Sequence, residues 1–219
     1  MDANRRSAVI VGVLFLIATA SYISGNAMIE SIMSAPDYLK DVYSKKDQVI
    51  LGVLLELINS VAVVGIAIVL FPILKKHNEK IALGYIGFRV IEAMLLIVGT
   101  IGPLVLIRVS QEYIQAGAPA HSSFHTVGAL AAEGSFLVFQ LAMIVLGLYS
   151  LLFCTLLYRT KLIPRFLSVL GLIGYASLSA SAIAELMGHN GMVLYAPGAL
   201  FEIMMPLWLI VKGFDASRI

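Results

Sequence analysis

Five polar residues stand inside otherwise apolar stretches of this sequence: Glu56, Asn59, Arg89, Glu92 and Glu202. An ionisable side chain at the centre of a bilayer costs about 2.5–3.5 kcal/mol on insertion scales, so such groups turn inward and find partners, and they mark places of function. Glu56 and Asn59 are three apart, as are Arg89 and Glu92, so each pair projects from one side of a helix. The expected chemistry has Arg89 as counter-ion to a carboxylate group made by Glu92, Glu202 and Glu56, with Asn59 adding hydrogen bonds. Three carboxylates around one guanidinium cannot all stay charged where water is scarce, so at least one is expected to be neutral or hydrated. A proton relay, a cation site or a pocket for a polar head group needs such an arrangement. The competing reading is structural: polar side chains hold transmembrane helices together at about 0.6–2 kcal/mol each.

A second constellation pairs His121 with His125 and Glu185 with His189, each four apart, with Glu133 near the boundary of a span. Histidines and a carboxylate on one helix face are zinc-ligand chemistry, as in metal-dependent hydrolases. However, Gly117 and Pro119 interrupt the chain just before His121, and no His-Glu-x-x-His signature is present. Solvated loop histidines and interfacial acids account for these residues better, so no metal and no cofactor is expected. Walker A, Rossmann and serine-hydrolase signatures are also missing, which leans away from an enzyme.

The elements that must position these residues follow from composition. Of 219 residues, 60% are hydrophobic and 13% charged, against about 45–50% and 25% in soluble domains. A hydrocarbon core about 30 Å thick takes roughly 20 apolar residues at 1.5 Å each. Six stretches qualify, at about 8–29, 49–74, 81–107, 130–157, 165–187 and 193–212. The expected fold is therefore all-α: one polytopic transmembrane bundle of six spans over 1–219. On that layout Arg89 and Glu92 lie roughly 12 and 16 Å from the inner end of the third span, and Glu202 roughly 14 Å from the outer end of the sixth. Glu56 and Asn59 fall a turn or two above that level. Ser34, Pro36 and Asp37 read as the start of a short helix in the first outer loop, with Tyr38, Leu39, Val42 and Tyr43 on one face. Such a helix would lie on the membrane surface; a solvated loop is the alternative. Pro72 and Pro103 are expected to kink their spans and Pro164 to open the fifth. Gly84, Gly87, Gly171 and Gly174 are expected to permit close helix contact. Cys154 is the only cysteine, which excludes an intrachain disulfide.

With the N-terminus inside, cytoplasmic segments collect ten of the fifteen Lys and Arg residues and the outer loops four, with Arg89 left within a span. The positive-inside bias thus favours N-in, C-in. Arg5-Arg6, the apolar run and Ala18-Thr19-Ala20 also resemble a signal peptide, but apolar sequence continues to Ile29, so an uncleaved span is expected. Basic residues sit in short clusters at span ends, which argues for a lipid bilayer as partner and against nucleic acid.

The stretches Leu54-Leu55-Glu56-Leu57-Ile58-Asn59, Gly65-Ile66-Ala67, Leu70-Phe71-Pro72 and Ala82 through Glu92 resemble a prokaryotic family of multi-span membrane proteins catalogued as domain of unknown function 4386. Leu162-Ile163-Pro164-Arg165, Ala196 through Glu202 and Leu207 through Gly213 fit the same pattern. The resemblance implies a prokaryotic inner (plasma) membrane protein and brings no substrate, cofactor or reaction with it.

The leading functional expectation is a small transporter or ligand-binding membrane protein, taking a small molecule, ion or lipid at Glu56, Asn59, Arg89, Glu92 and Glu202. The first alternative is a non-enzymatic sensor or assembly partner, in which those residues only lock helices. The second is an intramembrane metal-dependent hydrolase using the histidines.

Overall fold

The computed structural model describes residues 3–119 and 123–218. All regular structure among them is helical: α1 (Ala3–Met33), α2 (Tyr38–Ser44), α3 (Lys46–Lys75), α4 (Glu79–Gly99), α5 (Ile101–Gln115), α6 (Ser123–Thr160), α7 (Arg165–Leu186) and α8 (Ala196–Val211), with short 3₁₀ turns at Met192–Tyr195 and Ala216–Arg218. Six segments are long and apolar enough to cross a membrane: Asn4–Met33, Lys46–Lys75, Glu79–Gln115, Ser123–Thr160, Arg165–Leu186 and Met192–Val211. Helices are what lipid requires, since each must satisfy its own backbone where water cannot. The chain is thus an all-α, multi-pass membrane protein.

The spans form a closed ring. α1 packs on α3, α3 on α4, α4 on α6, α6 on α7, α7 on α8, and α8 returns to α1. Both termini lie at one end of the ring, because an even number of spans separates them. At that end Arg5 of α1 donates to the last carbonyls of α8, on Leu209 at 2.9 Å, Ile210 at 2.5 Å and Val211 at 3.1 Å. A guanidinium there satisfies carbonyls that have no intrahelical donor and opposes the negative end of the helix dipole. The turn between α3 and α4 is fixed by Asn78, whose side chain accepts from Ile81 N at 3.0 Å, and by the Lys75–Glu79 ion pair across it.

The third span differs from the expected 81–107. It breaks at Thr100 into α4 and α5, and the two together run 37 residues, roughly 55 Å, well past the ~30 Å a bilayer needs. Pro103 explains the break, because it has no N–H for the carbonyl of Gly99. Ser135 of α6 supplies the missing donor, its hydroxyl reaching Gly99 O at 2.8 Å. Beyond the break, the distal ends of the helices assemble a separate small core of Ile32, Leu39, Val42, Val49, Leu106 and Tyr113. Phe124, ahead of the expected start of that span at 130, packs against this core.

The short helix of the first loop, α2, belongs to this cap. Leu39 and Val42 are buried, and Ser110 of α5 donates to Leu39 O while accepting from Tyr43 N at 2.9 Å. α2 is therefore a helix packed on α5 and not a solvated loop. Asp37, not Ser34, occupies its N-cap. Pro164 likewise sits at the N-cap of α7, one residue ahead of the first turn.

Where α7 crosses α8, a Cβ on Gly174 would lie 2.8 Å from Gly198 Cα, whereas one on Gly87 would meet nothing within 4 Å. Gly87 therefore makes no close helix contact. Gly174→Leu should cost about 1–3 kcal/mol through overpacking, lowering the melting temperature in detergent, while Gly87→Leu should leave it unchanged.

Candidate functional site

The helix period places Tyr85, Arg89 and Glu92 on one face of α4, at i, i+4 and i+7. That face turns into the ring. Arg89 Nη1 donates to Glu92 Oε1 at 2.8 Å and Oε2 at 2.7 Å, and the two residues are 3% and 2% exposed. Arg89 Nε reaches the Tyr85 hydroxyl at 3.3 Å. The guanidinium also stands 5.5 Å from the Tyr85 ring centroid and 5.9 Å from that of Phe15 on α1. A charge pair this deep is tolerated because both partners are hydrogen-bonded and the cation is flanked by π-faces.

Arg89 and Glu92 border a cavity of about 240 Å³ inside the ring. Every span contributes to it: Phe15 and Tyr22 from α1, Asn59 from α3, Phe139 from α6, Tyr175 from α7, and Glu202 from α8. Glu202 is half-buried there. Tyr175 donates to Glu202 Oε1 at 3.5 Å, the long limit of a hydrogen bond. The ion pairs among the described residues are Lys40–Asp37, Lys45–Asp41, Lys75–Glu79 and Arg89–Glu92, so Glu202 has no cationic partner among them. Arg89 is thus in ion-pair contact with one of the three carboxylates, Glu92.

Glu56 lies apart from this group. It does not line the cavity; its Cγ packs over Gly25 of α1, where an added Cβ would sit 3.2 Å away. Asn59, one turn further along α3, is buried and does line it. Of the five expected residues, four thus border one space and the fifth faces the α1–α3 contact.

Below Arg89, toward the termini, the ring is packed solid. Tyr85 stacks on Phe153 at 4.6 Å, and Tyr175 meets Phe201 edge-on at 5.5 Å. Leu70, Leu74, Cys154, Leu157 and Leu209 fill the remainder, all fully buried. On the other side of the cavity, Tyr22 and Phe139 stack at 5.5 Å and 4° across the ring. Tyr195 donates to Gln140 at 3.0 Å nearby. A larger concavity of about 530 Å³ lies at the terminal end, among Lys161, Arg165, Trp208, Lys212 and Asp215. Its three cations are exposed, as head-group-level side chains are, and it is remote from the buried charges.

The histidine constellation does not converge. His125 packs edge-on to Tyr113 at 5.2 Å, Glu133 and His189 are exposed, and His121 lies outside the described residues. Glu185 Oε1 accepts from Gly191 N at 2.7 Å and so ties the α7–α8 loop. Among the described residues no three of His, Cys, Asp and Glu are grouped to hold a metal.

The profile of the family described as Domain of unknown function (DUF4386) matches residues 10–213, from the first apolar helix to just past the last. The chain belongs to this family. Neither the curated proteins nor the solved structures contain a match to it. For this DUF4386 chain, then, the buried polar group is the main guide to chemistry. Sequence reasoning did not single out Tyr85, Tyr175, Tyr22 or Phe139. Tyr85 was findable from its i, i+4 spacing to Arg89; the others reach the cavity from separate helices and carry no local signal.

Removing one partner of a buried pair strands the other, at a cost of about 3–5 kcal/mol. In this DUF4386 chain, Glu92→Gln and Arg89→Met should each lower stability to chemical denaturation by that order. The double variant should lose clearly less than their sum, the coupling expected of groups in direct contact.

Proposed function

We propose that this chain is a small transporter or ligand-binding protein of the inner (plasma) membrane, working at a mid-membrane site whose exchangeable group is Glu202. The observation that carries this reading is a carboxyl group outside every ion pair among the described residues, facing a cavity ringed by six helices, beside an arginine already paired to Glu92. A carboxylate in that position exchanges a proton or a cation more readily than one locked in an ion pair, because no bond to a fixed charge must be broken first.

The geometry argues against the helix-staple reading. The one buried ion pair among the described residues lies within α4, three residues apart, so it joins no two helices. Glu202 is held only by a long hydrogen bond from Tyr175, which is little adhesion for a charged group placed in the membrane. Asn59, Arg89 and Glu92 form the polar wall facing Glu202, and Glu56 stands outside the working group. The basic clusters at Arg5-Arg6, Lys75 through Lys80, Arg159 through Arg165 and Lys212 support an orientation with both termini in the cytoplasm. One integral unit over the whole chain is the reading that fits a closed ring. In it the dense packing toward the termini is an inner gate, and the cavity belongs to a state closed on the cytoplasmic side.

Purified protein in liposomes with a trapped pH-sensitive dye tests this under an imposed membrane potential. Wild type should carry protons above the empty-liposome rate, Glu202→Gln should fall to that rate, and Glu56→Gln should stay near wild type. Wild-type flux equal to that of empty liposomes would set transport aside and leave only a ligand-binding role for the site.

A further inference from the structure

The cavity also specifies a class of ligand. Three properties of its wall bear on this, beginning with charge. Arg89 and Glu92 cancel each other at 2.7 Å, which leaves Glu202 as the one uncompensated charge at the wall when it is ionised. An anion entering toward Arg89 would face two carboxylates; a cation would gain one and disturb no existing pair.

The second property is aromatic surface. Tyr22, Phe139, Tyr175 and Tyr195 all border the space, and the Tyr22–Phe139 stack joins α1 to α6, which sit on opposite sides of the ring. The faces of such rings attract a cation, more so where water is excluded. The third is size and access. At about 240 Å³ the cavity is smaller than the ~300–1,000 Å³ of drug-sized sites. Ile23 of α1 and Ile203 of α8 line it and are 60% and 46% exposed. The cavity is therefore not sealed off between α1 and α8.

Building on the reading of Glu202 given above, we propose that the cavity binds a small lipophilic monocation, an ammonium with a compact apolar body, its charge opposite Glu202 and its body among Tyr22, Phe139 and Tyr175. An inorganic cation alone fits less well, because most of the wall's surface is apolar, whereas a bare metal ion needs several oxygens at once. An amine with an apolar body matches both parts of the wall, and it can approach through the bilayer as well as through water.

Equilibrium binding to the full-length protein in lipid nanodiscs tests this, with benzyltrimethylammonium as probe and two comparison ligands of similar shape, benzenesulfonate and neutral neopentylbenzene. The ammonium should bind and raise the melting temperature. The sulfonate should not bind, and the neutral isostere should bind about tenfold or more weakly, which corresponds to about 1.4 kcal/mol or more. Glu202→Gln should weaken ammonium binding by about tenfold or more while melting like wild type without ligand. Phe139→Leu, which keeps an apolar side chain, should weaken it about three- to tenfold through loss of one ring face. No ammonium binding by wild type, equal binding of the sulfonate, or undiminished binding by Glu202→Gln would overturn the inference. Proton flux without ammonium binding defeats this inference and leaves the transport reading standing. Ammonium binding without flux supports the inference and defeats transport alone.

Discussion

A guanidinium and a carboxylate three residues apart on one helix neutralise each other inside the ring, and the charge balance of the cavity follows from that pair. Because α4 supplies both charges, Arg89 and Glu92 ask nothing of the neighbouring helices beyond a dry, aromatic setting. Tyr85 and Phe15 provide it, the first from the same face of α4 and the second from α1. Glu202, which lines the same space, is left outside that pair. Had Arg89 reached across the ring to Glu202 instead, the cavity would be spanned by an ion pair and its carboxyl groups would be equally committed.

The ring around this space is built in two textures. Toward the termini, large side chains such as Phe153, Leu157, Phe201 and Leu209 fill the interior and Arg5 fastens α1 to the end of α8. Toward the distal end the helices outgrow the bilayer, and the break before Pro103 turns α5 into a cap with α2. The cavity lies where the first texture stops, under the Tyr22–Phe139 stack. Ser135 shows how the break is made tolerable: one hydroxyl takes the carbonyl that a proline leaves without a donor, which in lipid would otherwise cost several kcal/mol.

Long apolar runs made the six spans legible, because length and hydropathy are local properties of a sequence. Their ends were less so: the expected 81–107 became a bent 79–115, since the packing of α2 on Leu106, Ser110 and Tyr113 is a tertiary event. Depth along a helix and a spacing of three put Arg89, Glu92 and Glu202 at one level in the membrane, and spacing alone gave the α4 face. Which neighbour each face meets was not readable. Glu56 has the same three-residue relation to Asn59 that Arg89 has to Glu92, yet it turns to Gly25 while Asn59 turns to the cavity. The aromatic wall escaped notice for the same reason, since Tyr22, Phe139 and Tyr175 stand on three different helices and each reads as ordinary packing in its own segment.

The proposed site requires Glu202 to be the chargeable group of the cavity while Glu92 is held by Arg89. Infrared difference spectroscopy of the carboxyl stretching region, recorded across a pH titration of the protein in lipid, addresses that requirement at the group itself. The account predicts a carboxyl band in wild type that converts between its neutral and ionised forms and is missing from the spectrum of Glu202→Gln. Superimposable wild-type and Glu202→Gln spectra would contradict it, because Glu202 would then exchange no proton with the surroundings.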